Sequence, residues 1–446
     1  MRAPKGARIL SYGGEVVSAS EEKIVVRGTK TLRGEVTVSG AKNSALKLMA
    51  ASLLGQGATT LRNVPLISDI DVMADVLRRL GARVERDGHT LVIDTTDVKS
   101  FETPYELVSK MRASISVLGP LIGRFGRARV AMPGGCQIGA RKIDMHLLGL
   151  EQLGVRFEVR HGYLDATAPN GLHGAEVFLE FPSVGATENM LMAAVTAEGT
   201  TVIENAAREP EIVDLCSMLN KMGCCIEGGG SPSITVTGVA LSDLHPCDHT
   251  TVGDRIEAGT FLAGAALTGG PVTVRGIDPA FLRMAIMKLE AMGCRIETGK
   301  DWISVCHDGR LAPTDIQTLP HPGFPTDLQA QFMLLAAVAD GSSVISENVF
   351  ENRFMFAAEL MRMGADITIE EHHAIVRGVE KLQGAPVSST DLRAGAALVL
   401  AGIIAEGYTE VFEVQHIDRG YEDYVGKLKN LGANVERLPA DAIVSL

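Results

Sequence analysis

The segment Leu80-Gly81-Ala82-Arg83-Val84 decides the fold, because its pattern recurs along the whole sequence. The pattern is an apolar residue, a glycine, two variable residues, and a β-branched or aromatic residue. It returns at Leu153-Gly154-Val155-Arg156-Phe157, Met222-Gly223-Cys224-Cys225-Ile226, Met292-Gly293-Cys294-Arg295-Ile296, Met363-Gly364-Ala365-Asp366-Ile367 and Leu431-Gly432-Ala433-Asn434-Val435. Successive glycines lie 73, 69, 70, 71 and 68 residues apart, which predicts six structural repeats.

A second glycine marker keeps the same period. It stands where a helical pattern ends and a β-rich run begins, at Gly57, Gly126, Gly199, Gly270, Gly341 and Gly407. Two markers in phase indicate that the repeat belongs to the fold and did not arise by chance.

The first repeat shows what each unit contains. An apolar stripe at helical spacing runs along one side of its first helix, formed by Leu46, Met49, Ala50, Leu53 and Leu54. Gly55 is predicted to end this helix. A strand, a second helix over 70–80 and the glycine turn into another strand follow, so each repeat is predicted to be an α/β unit. A unit of this size cannot bury all its apolar faces alone, and the repeats are expected to stack.

Polar residues recur at the start of the first helix in every repeat. They are Lys42 and Asn43, Arg112, Ser183 to Thr187, Asp254 and Glu257, Asp327, and Asp391 and Arg393. Any one of them is most simply a helix cap or a first-turn charge, but helix N-termini also bind phosphate. Thr326-x-x-Gln329 fits a capping box and places Asp327 in a first helical turn.

The composition excludes several classes of protein. The 446 residues carry a net charge of -12, which disfavours a general nucleic-acid binder. The longest uncharged apolar stretch, 394–405, has 12 residues, whereas a membrane span needs roughly 20. Residues 1–21 lack the apolar core of a secretory signal and are predicted to be a loosely ordered extension, so we expect a cytoplasmic protein.

Seven basic residues and one acid between Lys110 and Met145 suit a small anionic ligand.

The seven cysteines are expected to be reduced, because their number and spacing match neither a disulfide framework nor a zinc site. Cys136 lies in the glycine-rich segment 133–141 near Arg141, and a neighbouring guanidinium lowers the pKa of a thiol from its usual value near 8.5. Such a thiol can transfer protons, although an incidental loop cysteine explains the residues equally well. His245-Pro246-Cys247-Asp248-His249 matches no standard metal-ligand spacing and is interpreted as a connector between repeats.

Eight ordered motifs resemble those of the UDP-N-acetylglucosamine 1-carboxyvinyltransferases, a family of enolpyruvyl transferases. The resemblance extends from about residue 22 to the C-terminus. The motifs are Gly40-Ala41-Lys42-Asn43-Ser44-Ala45, Met111-Arg112-Ala113-Ser114, Pro133-Gly134-Gly135-Cys136 with Ile138-Gly139-Ala140-Arg141, Phe181-Pro182-Ser183-Val184-Gly185-Ala186-Thr187, Phe324-Pro325-Thr326-Asp327-Leu328-Gln329-Ala330-Gln331, Phe350-Glu351-Asn352-Arg353-Phe354-Met355, Asp391-Leu392-Arg393-Ala394 and His416-Ile417-Asp418-Arg419-Gly420-Tyr421.

The resemblance implies an α/β fold, a two-domain inside-out α/β barrel with three repeats in each domain. The first domain would comprise residues 42–250 and carry the Cys136 loop, and the second would comprise 22–41 plus 251–446. The substrates would bind in the cleft between the domains, and neither a metal nor a cofactor is implied.

The implied reaction adds the 3-hydroxyl of UDP-N-acetylglucosamine to carbon 2 of phosphoenolpyruvate and then eliminates phosphate. By resemblance, Cys136 is the acid and Asp327 the base of this addition, and Lys42 and Arg419 are also catalytic. Phosphoenolpyruvate would be held by Lys42, Asn43, Arg141, Arg393 and Arg419. UDP-N-acetylglucosamine would be bound by Arg112, Arg141, Lys142, Ile143, Asp144, Met145, Ser183, Val184, Gly185, Asp327 and Val349.

Two alternatives stay open at this point. A paralogous enolpyruvyl transferase acting on a different nucleotide sugar would keep Lys42, Cys136 and Arg419 and differ near Ser183 and Val349. A non-catalytic binding module of the same fold would lose charged cleft residues, and here none is missing. The expected partners are the two small-molecule substrates, with no nucleic acid, no membrane and no obligate protein partner.

Overall fold

The structure is a computed structural model that describes residues 22–29, 31–103, 112–132 and 143–444. The predicted N-terminal extension, 1–21, and the site residues Cys136, Arg141 and Lys142 lie outside the described residues. Of residues 112–114 the structure describes the backbone.

Helices and strands are interleaved along the described part of the chain. The α-helices are α1 (Lys42–Ala51), α2 (Ser68–Leu80), α3 (Leu118–Phe125), α4 (Asp144–Gln152), α5 (Val184–Ala194), α6 (Pro210–Lys221), α7 (Arg255–Thr268), α8 (Arg283–Ala291), α9 (Gln329–Ala337), α10 (Ala357–Arg362), α11 (Leu392–Ile404), α12 (Gln415–Asp418) and α13 (Tyr424–Asn430). Short 3-10 helices cover Arg112–Val117, Leu241–Asp243, Pro279–Leu282 and Thr326–Leu328.

The strands are β1 (Glu22–Arg27), β2 (Gly34–Thr37), β3 (Ala58–Arg62), β4 (Arg83–Asp87), β5 (Thr90–Asp94), β6 (Arg127–Ala131), β7 (Arg156–Arg160), β8 (Tyr163–Thr167), β9 (Glu176–Phe178), β10 (Thr200–Glu204), β11 (Cys225–Glu227), β12 (Ser233–Thr237), β13 (Asp248–Thr250), β14 (Val272–Arg275), β15 (Arg295–Thr298), β16 (Trp302–Cys306), β17 (Ile316–Gln317), β18 (Ser342–Ser346), β19 (Asp366–Glu370), β20 (His373–Arg377), β21 (Pro386–Ser388), β22 (Tyr408–Phe412) and β23 (Asn434–Pro439).

The predicted sixfold repeat is confirmed in the described part of the chain. The strands form six sheets, five of four strands and one of three, and each sheet contains the antiparallel strands that follow the first helix of one repeat. The marker glycines all adopt positive φ, a conformation that glycine reaches without the steric cost of a side chain. In the recurring glycine turn, φ lies between 92° and 110° at Gly81, Gly154, Gly223, Gly293, Gly364 and Gly432.

The first helix of each repeat is enclosed by protein, and this overturns the predicted one-sided stripe. Eight of the ten residues of α1 are buried, and so are all nine of α9. Helix α1 also ends at Ala51, and Leu53 and Leu54 lie in the turn that follows. A helix with neighbours on every side needs no solvent-facing polar surface, so apolar and small residues spread round it. No described helix is long and apolar enough to cross a membrane.

The buried apolar side chains separate into two clusters. The first core draws on residues between 45 and 244, and the second core draws on 24–38 and 256–435. The domain boundaries at residues 41 and 250 stay a prediction.

The two halves of the chain exchange edge strands. In the third, fifth and sixth repeats, the parallel edge strand directly precedes the first helix of its own repeat. Strand β2, which precedes α1, pairs instead with β14 of the fourth repeat. Strand β13, which precedes α7, pairs with β3 of the first repeat. The chain therefore crosses twice between the cores.

The two crossings touch each other in an antiparallel bridge between Gly40 and Gly253. The Ala41 amide donates to the Val252 carbonyl at 2.7 Å, and the Asp254 amide donates to the Ser39 carbonyl at 2.9 Å. A Cβ atom on Gly40 would lie 1.6 Å from the Asn63 carbonyl oxygen, so this crossing requires glycine.

A buried ion pair braces the crossing. Lys427 Nζ lies 2.5 Å from Glu257 Oε1 and donates to Ser39 Oγ at 2.8 Å, and the Ser39 amide donates to Glu257 Oε2 at 2.8 Å. Burial raises the pKa of Glu257 from 4.5 to about 7, although Lys427 acts in the opposite direction. The folded protein therefore holds this proton more tightly than the unfolded chain does.

The raised pKa predicts how stability depends on pH. The protonated Glu257 carboxyl stabilises the folded protein. This contribution to the free energy of unfolding is complete below the pKa of Glu257 in the unfolded chain, and it is lost as pH rises through about 7. Glutamine resembles the protonated carboxyl and does not titrate. As pH rises from about 5 to about 8, we therefore expect the free energy of unfolding of Glu257→Gln to increase relative to that of the wild type. Urea denaturation at about pH 5 and about pH 8 measures this, with Glu436→Gln in the half-exposed pair with Arg27 as control. A difference that is the same at both pH values contradicts the assignment.

Close helix packing gives a second prediction. A Cβ on Gly119 in α3 would lie 2.4 Å from the backbone oxygen of Asn189, whereas one on Gly264 in α7 would meet the Leu400 Cδ2 methyl at 3.1 Å. Backbone cannot yield as a side-chain methyl can, so Gly119→Ala should lower the free energy of unfolding by about 1 to 3 kcal/mol. Gly264→Ala, which gains helix propensity, should be nearly neutral. Equal losses in thermal denaturation would show that the backbone contact does not matter.

Candidate active site

Helix starts from both cores meet where the two crossings lie. Asp254 caps α7 by accepting the amides of Ile256 at 2.8 Å and Glu257 at 3.0 Å. Its second carboxylate oxygen accepts the amide of Lys42, the first residue of α1, at 3.2 Å. One carboxylate therefore joins the start of a first-core helix to the start of a second-core helix.

Asp69 brings two predicted site residues together. Its carboxylate lies 2.7 Å from Lys42 Nζ and 2.9 Å from Arg419 Nε. Lys42 starts α1 and Asp69 lies in the first turn of α2, while Arg419 follows α12. Lys42 and Asp69 are buried, but the Arg419 side chain is 38% exposed, so part of its guanidinium stays open to a ligand.

Asp327 lies between two buried arginines. Arg353 Nη2 is 2.9 Å from one carboxylate oxygen, and Arg393 Nη2 is 3.1 Å from the other. The Arg393 guanidinium also lies over the Tyr421 ring, 5.4 Å from its centroid. The buried Nη1 atoms of Arg353 and Arg393 have no hydrogen-bond partner among the described residues. These donors are placed for an anionic ligand.

The cluster has an excess of positive charge. Lys42, Arg353, Arg393 and Arg419 pair with the carboxylates of Asp69 and Asp327, and a third carboxylate, Asp254, also acts on Arg393. Burial lowers the pKa of Lys42, and Arg393 and Arg419 lower it further against the opposing effect of Asp69. Burial alone would raise the pKa of Asp69, but Lys42 and Arg419 outweigh it and the pKa is lowered. In addition to burial at Lys42, neighbouring cations lower both pKa values, as expected of a cation-rich site that binds an anion.

The predicted capping box at Thr326 is wrong, although Asp327 does lie in a first helical turn. The Thr326 hydroxyl donates to Glu347 Oε2 at 2.9 Å instead of accepting from its own helix. The Gln329 side-chain amide is buried without a hydrogen-bond partner in the described part of the chain. Glu347 also accepts the amide of Val349 at 2.9 Å, so it positions this predicted nucleotide-sugar contact. The Thr326 hydroxyl is therefore bound by a carboxylate from another segment and does not cap its own helix.

Two of the predicted nucleotide-sugar segments lie side by side in the first core. Ser183 caps α5, its hydroxyl accepting the Ala186 amide at 3.4 Å, and Val184 and Gly185 form the first turn of that helix. A Cβ on Gly185 would lie 3.0 Å from the ring of His146, which follows the predicted contacts Ile143, Asp144 and Met145. The ring of His146 is buried and shares a 2.9 Å hydrogen bond with the Asn189 amide.

His146 is neutral at physiological pH. Burial lowers its pKa to about 4, and Lys47 contributes to the shift. The start of α5 therefore packs on an uncharged ring, and this wall of the site holds its charge state across the neutral range.

The remaining predicted residues divide between described and undescribed parts of the chain. Asn43 is exposed in the first turn of α1, next to Lys42. The backbone of Arg112 opens the 3-10 helix Arg112–Val117, while its side chain, like Cys136, Arg141 and Lys142, lies outside the described residues.

Sequence reasoning missed Asp69, Arg353 and His146. Arg353 lies inside one of the family motifs, and His146 directly follows another predicted segment. Their position in or beside these segments could have identified both residues. Asp69 had no signal beyond being an acid in a first helical turn.

The cluster around His245 forms no metal site. Residues 248–250 form strand β13, and His249 Nε2 shares a 2.7 Å hydrogen bond with Asp214. Among the described residues, no group of three or more His, Cys, Asp or Glu side chains is arranged to hold a metal ion.

Comparison with known proteins identifies relatives over nearly the whole chain. A family model described as EPSP synthase (3-phosphoshikimate 1-carboxyvinyltransferase) matches residues 26–428. The UDP-N-acetylglucosamine 1-carboxyvinyltransferase of Desulfatibacillum aliphaticivorans is 52% identical over 417 residues, which cover 94% of this chain and 100% of the relative. The enzyme of the same name from Mycobacterium leprae is 53% identical over 417 residues, which cover 94% and 99%.

Solved structures share the fold. The enolpyruvyl transferase NikO from Streptomyces tendae matches with a TM-score of 0.85 at 27% identity, covering 94% of this chain and 99% of its own. EPSP synthase from Acinetobacter baumannii matches with a TM-score of 0.71 at 18% identity, covering 94% and 100%. The predicted enolpyruvyl transferase-like α/β fold is confirmed. The chain therefore belongs to the UDP-N-acetylglucosamine 1-carboxyvinyltransferase family of enolpyruvyl transferases.

Proposed function

We propose that the protein transfers the enolpyruvyl group of phosphoenolpyruvate to the 3-hydroxyl of UDP-N-acetylglucosamine and releases phosphate. This is the first committed step of peptidoglycan precursor synthesis, and we propose that it takes place in the cytoplasm. One observation carries the proposal: Lys42, Arg393 and Arg419 lie with Asp327 in a single cation-rich cluster at converging helix starts.

The anion site suits phosphoenolpyruvate. This substrate carries a phosphate and a carboxylate, and guanidinium forks and an ammonium group bind both. Lys42 and Arg419 are held by Asp69, and Arg393 offers a buried Nη1 donor. In our proposal these three side chains bind the substrate together with Asn43 and Arg141, and the electric field of the site stabilises the charge that develops on the phosphate.

The addition step needs a base and an acid. The 3-hydroxyl oxygen forms a bond to carbon 2 while its proton passes to Asp327, and Cys136 supplies the proton that carbon 3 gains. Asp327 is ion-paired with Arg353 and Arg393. In our proposal Arg393 turns towards the phosphoenolpyruvate anion, and Asp327, held in place by Arg353, accepts the hydroxyl proton.

In the elimination step carbon 3 gives a proton back to the Cys136 thiolate, and the proton held by Asp327 leaves with the phosphate. The tetrahedral intermediate loses a proton from carbon 3, the carbon 2–oxygen bond to phosphate breaks, and the double bond forms again. The phosphate leaves with the electron pair of the broken bond, so no oxidant or reductant is consumed. Lys42 and Arg419 stabilise the departing charge.

The nucleotide sugar would lie against both cores. In the first core we assign its contacts to the start of α5 at Ser183, Val184 and Gly185, to Ile143, Asp144 and Met145, and to Arg112, Arg141 and Lys142. In the second core we assign Asp327 and Val349. The support is that His146 packs the first two of these segments together and that Glu347 holds the Val349 amide.

Phosphate release tests the proposal directly. Inorganic phosphate should form from phosphoenolpyruvate when UDP-N-acetylglucosamine is present and not when it is omitted. The same assay with other nucleotide sugars distinguishes this proposal from the paralogous alternative. If the protein is a paralogue, one of the other nucleotide sugars is a better acceptor than UDP-N-acetylglucosamine. Binding of both substrates with no phosphate release would favour the non-catalytic module.

The role of Asp327 gives a sharper prediction. Asp327→Asn keeps an oxygen for the arginines but loses the base, so turnover should fall by about 100-fold to 10,000-fold. The variant should stay folded and bind UDP-N-acetylglucosamine in calorimetry. As control, Asp278→Asn alters an exposed helix cap on the Ala280 amide and should leave turnover unchanged. Loss of stability with normal turnover in Asp327→Asn would make Asp327 a structural charge.

The proposed acid is tested with its own variant. Cys136→Ser should lose most turnover and keep its thermal midpoint, because a serine hydroxyl is a much poorer proton donor than a thiol. An epoxide phosphonate that mimics phosphoenolpyruvate should alkylate Cys136, as read by mass spectrometry. Cys225 is exposed and reports general thiol reactivity in the same sample. Near-normal turnover in Cys136→Ser, or selective labelling of the half-buried Cys247, would contradict the assignment.

A further inference from the structure

A second contact joins the Arg419 loop to the first core. Glu422 Oε2 accepts the amide of Leu66 at 2.9 Å, and Glu422 Oε1 shares a 2.6 Å hydrogen bond with His89 Nε2. Leu66 lies between β3 and α2, and His89 lies in the turn between β4 and β5. The Glu422 side chain is 14% exposed.

The two contacts of this loop are in register. Glu422 follows Arg419 by three residues, and Asp69 follows Leu66 by three residues. Asp69 binds Arg419 at one end of the paired segments, and the Leu66 amide binds Glu422 at the other. The loop is therefore fixed to the first core at two points.

The loop between these points leaves little freedom. A Cβ on Gly420 would lie 2.7 Å from Leu392 Cδ2 and 3.2 Å from Lys42 Cδ. Tyr421 is buried and shares a 2.9 Å hydrogen bond between its hydroxyl and Thr260 Oγ1. The second core thus holds the middle of the loop, and the first core holds its ends.

Glu422 is ionised in this setting. Burial alone would raise its pKa, but the Leu66 amide and His89 outweigh burial, and the pKa is lowered. A charged acceptor strengthens the bond from the Leu66 amide.

We propose that Glu422 is a positioning residue that holds Arg419 in the anion site by tying its loop to the Leu66 amide and His89. The inference rests on the proposed function, in which Arg419 binds phosphoenolpyruvate. Without the tie, the loop keeps only one of the two contacts that fix its ends to the first core, that of Arg419 with Asp69, and the free guanidinium face loses its fixed direction. Binding of phosphoenolpyruvate should then weaken more than binding of UDP-N-acetylglucosamine.

The test compares Glu422→Ala with a matched control. Glu410 is also a half-buried carboxylate, with an 18% exposed side chain, and it pairs with Lys23 at 2.6 Å within the second core. We expect Glu422→Ala to raise the KM for phosphoenolpyruvate by about tenfold with a much smaller change in the KM for UDP-N-acetylglucosamine. Glu410→Ala should leave both KM values unchanged. Glu422→Gln keeps an oxygen for the Leu66 amide and should restore most of the affinity.

Hydrogen exchange gives a readout that does not depend on turnover. The Leu66 amide should exchange faster in Glu422→Ala and at the wild-type rate in Glu410→Ala. If Glu422→Ala fails to fold, Glu422→Asp withdraws the carboxylate from Leu66 and serves the same test.

The outcomes are separable. An active wild type whose KM for phosphoenolpyruvate is unaltered in Glu422→Ala overturns the positioning role alone. Parallel rises in both KM values would also overturn it, since they indicate a general loss of structure. A wild type that releases no phosphate overturns the proposed function, and the positioning role then falls with it.

Discussion

The Asp69 carboxylate, shared between Lys42 and Arg419, is the contact on which the site depends. Lys42 comes from the start of α1 in the first core, and Arg419 comes from a loop of the second core. Without Asp69 the two cations would repel each other in a buried region, where charges are poorly screened. Asp69 thus brings the cations to one place while leaving the site with a net positive charge that a substrate anion can neutralise.

The repeat explains why charged groups from distant parts of the chain meet. Each repeat buries its first helix, and the starts of α1, α7 and α11 carry Lys42, the Asp254 cap and Arg393. The exchange of β2 and β13 joins the two halves at Gly40 and Gly253, beside these helix starts. A fold built from copies of one unit therefore concentrates positive helix ends and basic side chains between two cores.

The periodic features were the ones that the sequence predicted well. The glycine turns require positive φ in every repeat, so they can be recognised from the local sequence. The polar residues at the helix starts were predicted from the same period. The family motifs then grouped Lys42, Asp327, Arg393 and Arg419, and the structure places these side chains together. Their catalytic roles stay a prediction.

Features that depend on distant partners were missed. The capping box at Thr326 failed because Glu347, from another segment, takes the hydroxyl. The apolar stripe on α1 failed because other helices surround it. Asp69 was not predicted because its partners are 27 and 350 residues away in the chain, and no local pattern encodes such a contact.

A crystal structure of the Asp327→Asn variant with phosphoenolpyruvate and UDP-N-acetylglucosamine tests the central claim most directly, since slow turnover should preserve both substrates. Our account predicts the phosphate and carboxylate of phosphoenolpyruvate within hydrogen-bonding distance of Lys42, Arg393 and Arg419, and the sugar 3-hydroxyl beside residue 327. Phosphoenolpyruvate bound elsewhere, with these cations contacting only protein carboxylates, would contradict the account.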